Sequence, residues 1–189
     1  VHVDDVVGML LHAAKDESMR GPFNCVGPKP VADAEFTKAV GRAVHGTLQT
    51  IDLATGAGLA DAVAAQCEAE AIADRAPDVT ALVEAALGSP SVVEAAAGPH
   101  WREVYACVPT AGGRLLEGYI DLLYRDATGL VVLDYKTAAT DDPAELARRT
   151  AGYRLQGASY ALTVAQTTGE PVSRVTLVYP TPPGAVEVH

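Results

Sequence analysis

The stretch Gly118-Tyr119-Ile120-Asp121-Leu122-Leu123-Tyr124-Arg125-Asp126-Ala127-Thr128-Gly129-Leu130-Val131-Val132-Leu133-Asp134-Tyr135-Lys136-Thr137 decides the fold. Its halves are rich in aliphatic and aromatic residues, and Asp126 to Gly129 supplies a turn between them, so it reads as two neighbouring antiparallel strands. Leu130 to Leu133 is apolar at every position, as in a central strand covered on both faces. That run ends in a carboxylate, Asp134, where an unpaired charge would be costly to bury. Lys136, two residues on, shares the strand face of Asp134. Asp121 lies on the preceding strand, so both carboxylates reach one end of the sheet. Taken alone, an Asp-x-Lys pair is more often a structural salt bridge at a strand end than a reaction centre.

Working outward, Trp101 to Pro109 reads as a strand, Gly112-Gly113 as a hairpin turn, and Arg114 to Tyr124 as the strand that pairs back. Leu130 to Lys136 is the third strand. Asp142-Pro143 opens a long helix over about 143–167, with Pro143 well placed in its first turn. Gly169 and Pro171 end it. Val175 to Tyr179 is a last strand, followed by a proline-rich tail. Upstream, an alanine-rich region predicts helices over Leu59 to Ala76, Asp78 to Leu87 and Val92 to Ala96, punctuated by Gly88-Ser89-Pro90 and Gly98-Pro99. Asp33 to Val44 reads as a helix with acids in its first turn, and residues 3–15 as another, capped by Asp4 or Asp5. Pro22 to Val26 is extended, and Gly27 to Pro30 is a turn. From residue 45 onward the order is helices, three antiparallel strands, a helix and a strand, an α/β sandwich around a mixed sheet.

The chain has 189 residues, enough for one domain and a small appendage, and its 49% hydrophobic and 20% charged content is that of a soluble globular protein. No apolar run reaches the roughly 18–20 residues of a membrane span, so no membrane partner is expected. No signal peptide is expected either, because Asp4 and Asp5 precede any basic residue. An opening on Val1 fits a piece of a longer chain. Cys25, Cys67 and Cys107 are widely spaced and odd in number, which points to free thiols in a reducing cytoplasm.

Residues 118–137 resemble the central motif of RecB-like nucleases of the PD-(D/E)xK superfamily: a Gly-x-x-Asp strand, a short turn, then Asp-Tyr-Lys-Thr. Gln156-Gly157-Ala158-Ser159-Tyr160 matches that family's Gln-x-x-x-Tyr motif, with Tyr153 on the same helix face. Gly41-Arg42-Ala43-Val44-His45-Gly46-Thr47-Leu48 is similar to its first, histidine-bearing motif. His100-Trp101-Arg102-Glu103-Val104 is similar to its glutamate-bearing strand. The motifs occur in the family's order over about residues 41–180.

The resemblance implies a restriction-endonuclease-like α/β core, made of a helix, a three-stranded antiparallel meander, a helix and a strand, with an N-terminal helical extension. It implies a DNA nuclease domain appended to a UvrD-like helicase in double-strand-break processing. Asp121 and Asp134 would bind Mg²⁺ or Mn²⁺ directly, with His45 as an imidazole ligand and the Tyr135 carbonyl as a further oxygen. Lys136 would position the attacking water or stabilise charge on the phosphate. Gln156, Tyr160 and Tyr153 would shape the site and touch DNA. Glu103 would make a structural hydrogen bond or take a direct part. On its own, a histidine near a helix end is more often solvated or capping; the motif order favours the ligand reading for His45. The cysteines lack the placement of the iron–sulfur cluster found in some relatives, so no cluster is expected.

The net charge of −10 is unlike the basic face of most DNA-binding proteins. Clustered carboxylates at a metal site account for part of it, and a nuclease tethered to a motor receives DNA at high effective concentration. No GxxxxGK[ST] loop is present, so the motor would lie on other sequence. The other readings are a catalytically inactive nuclease-like DNA-binding or scaffold module, against which the intact Asp121, Asp134 and Lys136 argue, and a remnant epimerase.

That last reading comes from residues 1–40, which resemble a C-terminal stretch of NAD(P)-dependent epimerases of the extended short-chain dehydrogenase type. The likeness lies in Val1-His2-Val3-Asp4-Asp5, Gly21-Pro22-Phe23-Asn24 and the helix at Ala34-Glu35-Phe36-Thr37-Lys38. The glycine-rich nucleotide loop and the Tyr-x-x-x-Lys pair of that family are absent, so no NAD site is expected. The expected organisation is therefore an epimerase-like segment over 1–40 and a nuclease domain over 41–189. A displacement of the helix at the join would remove His45 from the site.

Overall fold

A computed structural model describes residues 34–109, 115–137 and 142–189. The chain divides into two units, Val1–Lys38 and Ala39–His189. The expected helix over 3–15, the segments at 22–30 and the Gly112-Gly113 turn lie outside the described residues.

Five strands form one sheet in the order β1 (His100–Pro109), β2 (Leu115–Arg125), β3 (Leu130–Tyr135), β4 (Val172–Thr181) and β5 (Gly184–Val188). β1, β2 and β3 are an antiparallel meander, with Leu122 opposite Leu133 and Arg125 opposite Leu130. β4 runs parallel to β3 and sets Leu177 beside Asp134. A parallel pair needs a long crossover, and helix α5 (Pro143–Thr168) supplies it. Asp142 caps α5 by accepting the Ala144 amide at 2.9 Å, and Gly169 ends it at φ 72°.

The remaining helices precede the sheet: α1 (Ala34–Thr50), α2 (Leu59–Ala69), α3 (Ala76–Leu87) and α4 (Pro90–Ala96). Val44, Leu48, Val79, Val83 and Val92 from these helices are buried with Leu122, Tyr124, Val131, Leu133 and Tyr135 of the sheet. The opposite face buries Leu123, Leu130 and Val132 against Tyr160 and Val164 of α5. The fully apolar run of β3 thus lies between two helical layers, as its sequence requires. The architecture is the restriction-endonuclease-like α/β sandwich around a mixed sheet.

The pleat of the β1–β2 hairpin changes side part-way along. Ile120 and Leu122 are two residues apart and should share a face, yet Ile120 packs with the α5 layer and Leu122 with the α1–α4 layer. The change falls at Glu103 and Asp121, where the pairing skips one step between Arg102–Leu122 and Val104–Ile120. Glu103 there has φ 49°, a left-handed conformation that costs a non-glycine residue about 1–3 kcal/mol.

Several boundaries differ from the sequence reading. The helix expected over Leu59 to Ala76 stops at Ala69; Ala71 turns left-handed at φ 56°. This sends Ile72 back into the core beside Cys67, whose carbonyl accepts its amide at 2.8 Å. A single 3₁₀ turn, Ala73–Arg75, leads into α3. The first helix runs on to Thr50 rather than Val44. The last expected strand is longer, and the proline-rich tail pairs back on it as β5, with Thr181 opposite Gly184. Pro182 and Pro183 occupy the two turn positions, where no ladder N–H is required. Glu187 fastens β5 to α4 by accepting the Ser91 amide at 2.7 Å and its hydroxyl at 2.8 Å. No single described helix is long and apolar enough to cross a membrane.

Candidate active site

Asp121 sits where β2 and β3 part company. Their pairing ends at Leu122–Leu133, and one more step would set Asp121 opposite Asp134. The side chain of Asp121 replaces the next ladder bond: its Oδ2 accepts the Tyr135 amide at 2.7 Å. Its Oδ1 lies 3.1 Å from His45 Nδ1. This one carboxylate thus joins helix α1 to the end of β3.

Asp134 is only 5% exposed. Burial, and then the neighbouring charge of Asp121, push its pKa up to about 6, against the pull of Lys136. Asp134 Oδ2 is in direct contact with the Lys136 ammonium, which compensates part of the cost of burying it.

His45 comes from within α1, five residues before its end, not from a frayed terminus. Burial works against its charged form, but the hydrogen bond and charge of Asp121, with the charge of Asp134, hold its pKa above the ordinary value. The edge of its ring meets Tyr135, with centroids 6.0 Å apart and planes at 87°. Two contacts fix α1 in this place. A Cβ on Gly41 would lie 2.8 Å from Thr137 Oγ1, so glycine is what lets the helix approach the end of β3. At the other end, Arg102 Nη1 on β1 donates to the carbonyls of Gln49 at 3.0 Å and Leu48 at 3.3 Å, and also to that of Ile51. A cation there satisfies orphan carbonyls and suits the helix dipole.

Helix α5 supplies the other wall. Lys136 Nζ donates to Gln156 Oε1 at 3.1 Å and lies 4.3 Å from the centre of the Tyr153 ring. Gln156 Nε2 donates in turn to Tyr160 Oη at 3.1 Å. Tyr153, Gln156 and Tyr160 are three and four residues apart and share a helix face. Tyr160 closes the chain against β2, where a Cβ on Gly118 would come within 2.7 Å of its Oη.

Glu103 occupies the position opposite Asp121 on β1. Burial and the charge of Asp121 raise its pKa, and His45 opposes that rise. It therefore belongs electrostatically to the same cluster. His100 does not: its Nδ1 lies 3.0 Å from the Gly98 carbonyl.

Sequence reasoning missed the Arg102 clamp and the close approaches at Gly41 and Gly118. The glycines were visible inside the quoted motifs, but their contacts to Thr137 and Tyr160 were not. Among the described residues, no three His, Cys, Asp or Glu groups already form a ligating cluster. His45, Asp121 and Asp134 instead lean on one another and on Lys136. The chemistry of the donor set still fits a hard divalent cation: two carboxylates, one of them buried, and an imidazole meet at one strand end.

A model of the PD-(D/E)XK nuclease superfamily matches residues 24–187, and the chain belongs to that superfamily. A segment of it is also similar to curated epimerase family proteins. The similarity is 47% identity over 45 residues to one from Mycobacterium leprae, and 44% over 45 residues to one from Mycobacterium bovis and one from Mycobacterium tuberculosis. Each match covers 24% of this chain and 15% of the relative. The chain thus spans a small part of the length of those relatives.

Proposed function

We propose that this chain is a Mg²⁺- or Mn²⁺-dependent deoxyribonuclease domain of the RecB-like kind. It would hydrolyse phosphodiester bonds at DNA ends as an exonuclease, fed by a UvrD-like helicase in double-strand-break repair and recombination. The observation that carries the reading is the buried Asp134–Lys136 pair, with its lysine pinned by Gln156 and Tyr153 and its carboxylate facing Asp121 and His45. A salt bridge that served only the fold would not need a second carboxylate, an imidazole and an aligned glutamine at the same strand end.

When bound, the cation supplies Lewis acidity toward a phosphate oxygen and makes water a better nucleophile. Asp121, Asp134, His45 and the Tyr135 carbonyl would hold it. Lys136 would set its ammonium beside the scissile phosphate and stabilise the charge that develops there. Gln156 and Tyr153 keep that ammonium in one place, so little reorganisation is needed at the moment of reaction. Residues 1–40 would take no part in this chemistry.

The experiment is cleavage of linear duplex and single-stranded DNA by the full chain in Mg²⁺, Mn²⁺ or EDTA. Cleavage in either metal, abolished by EDTA and by Asp134→Asn, is expected. DNA binding without cleavage in both metals would leave a non-catalytic binding module.

A further inference from the structure

Tyr105 and Tyr119 are directly paired across the β1–β2 hairpin. They are 54% and 57% exposed, with ring centroids 5.3 Å apart and tilted by 52°. Two large aromatic rings left in water side by side form an exposed apolar patch, and such a patch marks a contact surface. The next rung, Ala106 opposite Gly118, is turned to Tyr160 of α5. By the strand alternation, both tyrosine rings therefore face away from α5. Tyr119 stands two residues before Asp121 and Tyr105 two residues after Glu103, so the rings begin about 7 Å from the carboxylate cluster, two steps of strand.

We infer that Tyr105 and Tyr119 form a stacking platform that holds the bases of single-stranded DNA next to the nuclease centre. This rests on the nuclease reading above and deepens it by naming the part of the substrate recognised. The chemistry of the patch favours bases over phosphates. Tyr105 donates its hydroxyl to Glu117 at 2.7 Å, and Glu103 lies on the same strand, so acidic groups flank the rings and repel a phosphate backbone. Aromatic faces stack on any base, which suits an enzyme that must pass a strand without regard to sequence. In a chain of net charge −10, stacking also supplies affinity that charge cannot. On the other side of these strands, Tyr160 abuts Gly118, and the Tyr160–Gln156–Lys136 bonds lead from there to the reacting end of β3.

The test uses the full chain in EDTA, so that nothing is cut. The probes are a short oligothymidylate and an abasic deoxyribose-phosphate strand of the same length. Trp101, the only tryptophan and 47% exposed on β1, reports binding by fluorescence. The platform predicts that the oligothymidylate binds at least about 10-fold more tightly than the abasic strand, the scale of base–aromatic stacking. Tyr105→Ala/Tyr119→Ala should erase that preference, and Tyr105→Phe/Tyr119→Phe should keep it. Equal binding of the two strands by the unaltered chain, or a preference that survives the alanine pair, overturns the proposal. Metal-dependent hydrolysis of bis(p-nitrophenyl) phosphate, too small to need the platform, is measured alongside and should be unchanged in both variants. Its absence from the unaltered chain would count against the nuclease reading while leaving the base preference readable.

Discussion

Helices α1 and α5 flank the same end of the sheet, but they serve it differently. α5 delivers three side chains, Tyr153, Gln156 and Tyr160, at spacings of three and four, and they touch Lys136 or one another directly. α1 delivers one side chain, His45, and its position depends on groups elsewhere: Gly41 against Thr137, and the Arg102 guanidinium on the carbonyls of the last turn. One wall is built from local periodicity. The other is built from contacts between residues more than fifty positions apart. Damage to the α5 wall should therefore appear in the rate of the chemical step, and damage to the α1 wall in stability and metal affinity.

The largest effect is expected at Lys136, where the α5 wall meets the strand. Lys136→Ala should lower the cleavage rate by about 10²–10³, or roughly 3–4 kcal/mol, with folding and metal binding largely kept. Rates across a Mg²⁺ titration, with calorimetry of metal binding, check this. Recovery of a near-normal rate at saturating Mg²⁺ would reduce Lys136 to a holder of Asp134.

Next comes the clamp on α1. Arg102→Ala removes charged hydrogen bonds to helix-end carbonyls and should cost about 2–3 kcal/mol in urea unfolding. It should also weaken Mg²⁺ binding, while the rate at saturating metal stays within a few-fold of normal. If the destabilised variant bound Mg²⁺ as well as the parent, the clamp would not be what positions His45, and the contrast between the walls would fail.

The smallest effect tests the close approach behind the α5 wall. Gly118→Ala places a Cβ 2.7 Å from Tyr160 Oη and should destabilise by about 1–2 kcal/mol through overpacking. Combined with Tyr160→Leu, the cost should fall below the sum of the two single changes, because the crowded partner is gone. Strict additivity in thermal melts would show that the two groups do not meet.

The same contrast explains what the sequence could disclose. The meander, the buried third strand and the face shared by Gln156 and Tyr160 are written in spacings of two, three and four residues, so they are legible from composition and order. The place of His45 beside Asp121, a separation of 76 positions, was accessible only through the order of recognised motifs. Arg102 carried no signal, since its partners are main-chain carbonyls that any residue provides. The break after Ala69 was also hidden. A run of alanine, glutamate and glutamine favours helix throughout, and the left-handed turn at Ala71 has no glycine to announce it; burial of Ile72 decided it. The pairing of the proline-rich tail was hidden too: prolines cannot donate to a ladder, but Pro182 and Pro183 fall on the two residues of the turn, where no donor is needed.

Asp134 carries a consequence for the molecule's history and for anyone who would redesign it. Four apolar residues lead up to it, and every local preference at its depth asks for another aliphatic side chain. With its pKa lifted to about 6, the folded chain favours the neutral acid. The resulting cost to stability is absent below the ordinary carboxylate value of 3.8, grows as pH rises from there to about 6, and is fully present above it. On the proposed reading, proton and cation would be alternative occupants of one frustrated position, and a cation would relieve at neutral pH a conflict that a proton relieves in acid. A drift toward Leu at position 134 would yield a firmer and chemically silent fold, so selection for stability alone would erase the site at its most buried residue.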